Sequence, residues 1–430
     1  MEIVLVIMCF LILLFLTVPV AASLFLSALL GFSLFFDVPL KMLGHIMIIK
    51  LNSYPLLAVL FFILAGNVMV HGKIAEYLIN FAGSMVGFFR GGLAISGVVA
   101  SALFGGISGS ALADYAAIGG IMVPALRKNG YGERFSVGIM AANSVLGIII
   151  PPSIPMIIYC LIAEVSIGRL FLAGFLPGIF VVGGVSIWIN FWARKNRIGK
   201  WSEKLQLKNV FFHFRKGIWA LFLPGIIFAG IFLGVFTSTE AAVLASVYAI
   251  VVELFIYRFL KVSQLVKIFI DSCVTTGTLL ILVAGASAFS EFMTLEQFPE
   301  TIIRVCTSNI SSPHLIILVI AGILLIVGCF IDIISALLIF TPIIVPLSTS
   351  YNIDLIHLGL VTVFALGIGY VTPPFGGSLF IAVAMHNAKF MDVVVGSLPS
   401  MIIWIIVLIF LCLIPQISIL LPSLFMGPSS

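Results

Sequence analysis

The sequence predicts an all-α polytopic membrane protein made of two repeating halves, and three observations point to it. Of the 430 residues, 62% are hydrophobic and only 9% are charged, where a soluble domain carries about a quarter. Long stretches hold no Asp, Glu, Lys or Arg: residues 3–36, 135–163, 170–193, 217–239 and 393–430. Prolines and glycines on the two sides of a central basic loop also fall into register. Since a spanning helix needs about 20 apolar residues, the apolar text fits roughly ten to twelve membrane segments. Continuous apolar runs, rather than short alternating ones, argue against an outer-membrane barrel. Lipid offers the backbone no hydrogen-bond partner, so the segments must be helices.

The first segment, residues 3–36, has no basic residue ahead of it; the first is Lys41. It lacks the basic start of a secretory signal peptide, so it is expected to be retained with the N-terminus outside. Arg194, Lys195, Arg197, Lys200, Lys204, Lys208, Arg215 and Lys216 crowd one loop, against the single acid Glu203. The positive-inside rule places that loop in the cytoplasm. A loop beside a membrane helix is where topology charges belong, so nucleic-acid binding is not expected. The six cysteines are scattered without C-x-x-C spacing, which predicts neither a disulfide framework nor a zinc site. The segments around residues 71–89 and 290–304 are more amphipathic and carry Glu76, Glu291, Glu296 and Glu300. They read either as arms lying along the interface or as ordinary loops with short helices. Arg127, Lys128 and Arg134 fall in a polar turn and read as interfacial anchors.

Shifting the second half by 222 residues aligns Pro124 with Pro346, Pro151-Pro152 with Pro373-Pro374, and Pro177 with Pro399. Gly106 then meets Gly328, and Gly147 meets Gly369. Proline is 19 of 430 residues, too rare for chance to align four. Duplicated halves are common among membrane transporters.

Proline inside a helix removes a backbone donor and clashes with an earlier carbonyl. The pairs Pro151-Pro152 and Pro373-Pro374 follow Gly147 and Gly369 within apolar runs, so each should interrupt a membrane helix. Unwound backbone at that depth is tolerated only where it is buried in protein or lines a cavity. Its free carbonyls suit a cation, and the amides at helix starts suit a carboxylate. Ahead of each break lies a second irregular segment containing an aspartate, Asp114 or Asp332. An intramembrane carboxylate is costly and points to ion or substrate binding; helix capping is the other reading, and both stay open here. Gly105, Gly106, Gly109 and Ala111 equally suit close helix packing.

Gly-Ser-Ala-Leu-Ala-Asp114, Ile118-Gly-Gly-Ile-Met-Val-Pro124, Pro151-Pro-Ser-Ile-Pro155 and Ser166-Ile-Gly-Arg-Leu-Phe-Leu-Ala-Gly174 together resemble the large membrane subunit of tripartite ATP-independent periplasmic (TRAP) transporters, the DctM type. Asp332 and Val371-Thr-Pro-Pro-Phe-Gly376 extend the resemblance into the second half. It implies two inverted repeats, two re-entrant helical hairpins and two broken helices, arranged as an elevator-type transport domain on a scaffold. Carried onto this chain, residues 1–92 hold scaffold and arm helices. Residues 93–164 hold the first hairpin and broken helix, and 165–193 the helix closing the first repeat. The basic cytoplasmic loop is 194–216. Residues 217–314 repeat scaffold and arm, 315–386 the second hairpin and broken helix, and 387–430 form a C-terminal helix and tail.

The resemblance also implies sodium-driven import of an organic anion, such as sialic acid or a dicarboxylate, across the bacterial inner membrane. Sodium is the coupling ion, with no other cofactor and no transition metal. The first sodium site would use Ser108, Ser110, Asp114, Asn143 and Gly147; the second Gly328, Asp332, Gly369 and Thr372. The anion would meet Ser110, Asn143, Ser153, Thr372, Gly376 and Ser378. The implied partners are a separate small four-helix membrane subunit (DctQ type) and a periplasmic substrate-binding protein (DctP type). The alternatives are a self-sufficient ion-coupled anion transporter of related architecture and, more remotely, an intramembrane protease suggested by Gly106-Ile-Ser108-Gly109. Such a protease needs a histidine within reach of its serine. All six histidines lie near segment ends or in loops, and neither aspartate sits in a Gly-x-Gly-Asp context. No enzyme is therefore expected.

Overall fold

The computed structural model describes residues 2–36, 40–198 and 206–427, and every element among them is helical. Seven helices are long and apolar enough to cross a bilayer, or eight if one pair bent by 41° (Glu133–Ile149 with Ile154–Ala163) counts as a span. That is fewer than the ten to twelve segments expected. Several apolar stretches fold as shorter helices of 10–17 residues: Gly92–Ser108 and Pro313–Gly328 end at hairpin tips, and Leu355–Gly369 and Gly377–His386 flank a break. Residues 3–36 likewise divide into Glu2–Phe15 and Val20–Phe35, separated ahead of Pro19. Lys200, Glu203 and Lys204 of the basic loop lie outside the described residues.

Polar side chains set several helix starts. Thr237 and Glu240 form a reciprocal capping box on Ser238–Val251: Oγ1 of Thr237 accepts from the Glu240 amide at 3.3 Å, and Glu240 Oε2 accepts from the Thr237 amide at 2.8 Å. Ser166 caps Ile167–Lys195, and Asp354 accepts from the Ile356 and His357 amides at the start of Leu355–Gly369. Such caps satisfy amides that would otherwise lack partners.

The order of elements before the basic loop returns after it. Hairpin arms end at Lys128 and Ser350, 222 residues apart (350 − 128). The next helices begin at Glu133 and Leu355, also 222 apart (355 − 133). Downstream of the breaks, Ile154–Ala163 is matched by Gly377–His386, one residue later at each end. The two breaks cross-pack, with Leu146–Ile149 against Leu355–Gly369 and Gly377–His386 against Glu133–Asn143.

Around this pair stand the longer helices. Tyr54–His71 packs on Ser238–Val251, and Val262–Leu295 on Val20–Phe35. The Asn67 side-chain amide donates to the Ser272 hydroxyl at 2.9 Å, joining the halves. Glu253, in a π-helical turn, reaches across and accepts from the Lys73 and Ile74 amides at 2.8 and 2.9 Å. It thereby caps the amphipathic helix Ile74–Val86, the first expected arm. The second amphipathic segment differs from the expected one: residues 290–295 complete Val262–Leu295, and the short amphipathic helix is Phe298–Asn309. Pro299 at its start explains the shift, since proline suits a first turn and not an interior.

Candidate functional site

Each hairpin tip meets the broken helix of its own half through bare backbone. Gly109 is left-handed (φ +62°), and a Cβ there would lie 2.9 Å from the Pro152 carbonyl oxygen. Its own carbonyl accepts the Ile154 amide at 3.3 Å. In the second half the Cys329 carbonyl accepts the Phe375 amide at 3.1 Å. Behind each tip two glycines cross. A Cβ on Gly105 would approach Gly147 Cα to 2.6 Å, and one on Gly369 would approach Gly328 Cα to 2.6 Å. The Pro151–Pro152 and Pro373–Pro374 peptide bonds are both cis.

The residues around the first break are buried. Ser153 donates to the Ile148 carbonyl at 2.6 Å and accepts from the Met156 amide at 3.3 Å, closing the break and capping Ile154–Ala163. Asn143 donates to the Ile139 carbonyl at 2.7 Å and to Ser400 at 3.3 Å, leaving Oδ1 buried and unpartnered. Asp114 is fully buried, and neither carboxylate oxygen has a partner in hydrogen-bond geometry. The buried Ser101 hydroxyl is its near neighbour and potential donor, just outside hydrogen-bond geometry. Gly147 faces Asp114: a Cβ there would stand 3.2 Å from Asp114 Cβ and 3.0 Å from the Ser110 carbonyl oxygen. Asp114 caps no helix, whereas Ser110 does, accepting the Ala113 amide at 3.4 Å. The buried Ser108 hydroxyl is also unpartnered. An unpaired carboxylate in an apolar interior is strongly unfavourable. Oxygen donors of this kind suit a hard monovalent cation. Among the described residues no His, Cys, Asp and Glu group could hold a transition metal.

The second break is more open. Asp332 is exposed and caps Ile333–Ser350, accepting from the Ser335 amide at 3.0 Å and from the Ser335 hydroxyl. Thr372 donates to the Ile368 carbonyl at 2.7 Å. Ser378 is buried and receives a hydrogen bond from Ser144 at 3.1 Å, tying the second break to the first broken helix. Gly376 precedes Gly377–His386 with no side chain to cap it.

A cavity of about 490 Å³ lies between these tips and the longer helices. Ser108, Ser110, Asp332 and Tyr370 line one wall; Asn67 and Thr275 line the other. No Lys or Arg lines it among the described residues. Of the residues expected to bind substrate, only Ser110 reaches this cavity. Asn143, Ser153, Thr372, Gly376 and Ser378 stand behind its wall. Arg127 and Arg134, read as anchors, pair with Glu133 and Asp392. Asn67, Thr275 and Tyr370 escaped the sequence reading. Asn67 had a usable signal, as the one amide side chain in the apolar helix Tyr54–His71.

The chain's relatives agree with this architecture. A family model described as "Tripartite ATP-independent periplasmic transporter, DctM component" matches residues 7–417. The chain is 38% identical to the C4-dicarboxylate TRAP transporter large permease protein DctM of Pseudomonas aeruginosa, over 86% of this chain and 87% of that one. It is 35% identical to the sialic acid TRAP transporter permease protein SiaT of Haemophilus influenzae, over 96% of this chain and 67% of that one. It is 40% identical to the protein YgiK of Salmonella typhimurium, over 95% and 94%. In fold it is similar to the YdaH transporter of Alcanivorax borkumensis, with a TM-score of 0.63 at 13% identity, covering 87% of this chain and 88% of that one. The relatives named for a role are transporter permeases rather than enzymes. This chain belongs to the DctM component family of tripartite ATP-independent periplasmic transporters and is a large permease subunit.

Proposed function

We propose that this chain moves an organic anion into the cell with sodium as the coupling ion, by sliding its hairpins and broken helices as one body against the longer helices. The supporting observation is the cavity between the two groups of helices, with the orphaned Asp114 carboxylate buried behind the first tip. Sodium held near Asp114, Ser108, Ser110, Asn143 and Gly147 would neutralise that carboxylate. A second ion would bind by the Gly328–Gly369 crossing, with Asp332 and Thr372. Filling these sites orders the tips and raises anion affinity, and linkage makes the effect reciprocal. The anion's charge is balanced by sodium and by helix-start amides at the cavity wall, because no arginine or lysine lines the cavity among the described residues. Carboxylates of the sialic acid or C4-dicarboxylate class fit this scheme, in line with the names of two relatives. The two halves would cross the bacterial inner membrane in opposite senses. A separate small membrane subunit would brace the long helices, and a periplasmic binding protein would deliver the anion.

Reconstitution into proteoliposomes tests the proposal. With both partners and an inward sodium gradient, carboxylate uptake is expected; without sodium or without the binding protein, it should fall to background. Full sodium-driven uptake by this chain alone would replace the tripartite reading with a self-sufficient transporter. Uptake indifferent to sodium would remove the coupling.

A further inference from the structure

A second cavity, of about 530 Å³, lies away from the transport site and is lined by Phe88, Phe89, Arg90, Asn190 and Arg194. It forms where the arm Ile74–Val86 passes into the first hairpin. Gly91 makes that joint with a left-handed backbone (φ +75°), and a Cβ there would lie 2.9 Å from Ala193 Cβ and 2.9 Å from Ile189 Cγ2. This close approach presses Arg90 against the last turns of Ile167–Lys195, beside Asn190 and Arg194. Arg90 and Arg194 are exposed, and neither forms an ion pair with a carboxylate among the described residues. Phe88 and Phe89, with ring centroids 4.2 Å apart, supply an apolar side.

A separate feature gives the depth of this cavity. Trp188 and Trp192, on the same helix as Asn190 and Arg194, stack with Phe135 at 6.0 and 3.8 Å; Tyr131 stacks on Trp192 at 6.2 Å. Such clusters gather at the level of lipid headgroups. Lys195 and Arg197 continue the positive charge beyond it.

We propose that this cavity binds the phosphate of an anionic phospholipid headgroup. The guanidinium forks of Arg90 and Arg194 match phosphate oxygens in pairs, Asn190 adds an amide donor, and the phenylalanines meet the apolar part of the lipid. A free phosphate would satisfy the arginines but would gain nothing from Phe88, Phe89 or the headgroup depth. The bound lipid ties the arm–hairpin joint to the end of Ile167–Lys195.

The test titrates the full chain in detergent with phosphatidylglycerol, phosphatidylcholine or inorganic phosphate, reading bound lipid by native mass spectrometry. Phosphatidylglycerol should be retained over phosphatidylcholine. Each of Arg90→Gln and Arg194→Gln should weaken it about fivefold, and the double variant roughly 30-fold. The double lysine variant should recover part of the loss, and Arg215→Gln should have no effect. The single variants carry the test should the double variant fail to fold. Unchanged retention in the glutamine variants, equal retention of phosphatidylcholine, or displacement by inorganic phosphate at the lipid's own concentration would each overturn the proposal.

Discussion

The two halves share an order of elements yet differ at their breaks. In the first half the stretch after Gly147 is wholly buried, Ser153 seals it with two hydrogen bonds, and Asp114 is left without a partner. In the second, Pro374 and Phe375 are exposed, no side chain caps Gly377–His386, and Asp332 is satisfied within its own turn by Ser335. One half thus has a closed backbone around an unpartnered carboxyl group, and the other an open backbone around a capped one. A duplicated scaffold can keep its glycine crossings while moving its polar groups to different tasks. Both halves line the cavity, but the first buries its aspartate behind the wall while the second presents its own to the open space.

The largest expected effect is at the aspartates. Asp114→Asn removes the buried charge that a cation would neutralise. It should weaken sodium dependence of uptake by roughly 100-fold, in keeping with the cost of breaking a buried charge pair. Asp332→Asn keeps a side chain able to cap Ser335, and should cost about tenfold, near one hydrogen bond to a charged group. His357→Gln, in a buried residue bonded to Ser418 at 2.6 Å and away from the cavity, should leave sodium dependence unchanged. Uptake titrated against sodium checks the order; equal losses at Asp114 and Asp332 would erase the proposed division.

The glycine crossings test what the halves share. Gly105→Ala and Gly369→Ala each place a methyl 2.6 Å from a backbone Cα. Each should destabilise the protein by about 1–3 kcal/mol through overpacking, seen as similar drops in the unfolding midpoint of the purified chain. A drop confined to one half would mean that only that crossing is tight.

The smallest effect should come from Ser153→Ala, which removes a cap and the seal of the first break, at about 1 kcal/mol. Ser378→Ala loses only the link to Ser144 and should cost less, about 0.5 kcal/mol. Equal shifts in the unfolding midpoint would show that the first break needs no seal.

Much of the fold could be read from the chain. The 222-residue offset of the prolines returns in the helix boundaries at several points, because proline and glycine act on the local backbone whatever surrounds them. The ends of the shorter helices were less legible, since apolar text reads alike whether a helix crosses the membrane or turns back. The same holds for residues 3–36, where one proline separates two helices that composition alone joined.

The candidate site was legible as a set of residue types but not as a surface. Ser108, Ser110 and Asp332 reach the cavity, while Asn143, Ser153 and Ser378 turn into the packing behind it. A polar side chain near a break can serve either role, and only its rotamer and neighbours choose.

By itself the sequence determined that the chain crosses a membrane, that it is doubled, and that each half carries a broken helix beside an aspartate. These follow from hydropathy and from the geometry of proline, which are properties of short stretches. Only the tertiary structure decided that Asp114 is orphaned while Asp332 is capped, that Asn67 and Thr275 face one cavity, and that Arg90 and Arg194 line another. Each of those depends on which distant backbone comes close, and packing alone sets that.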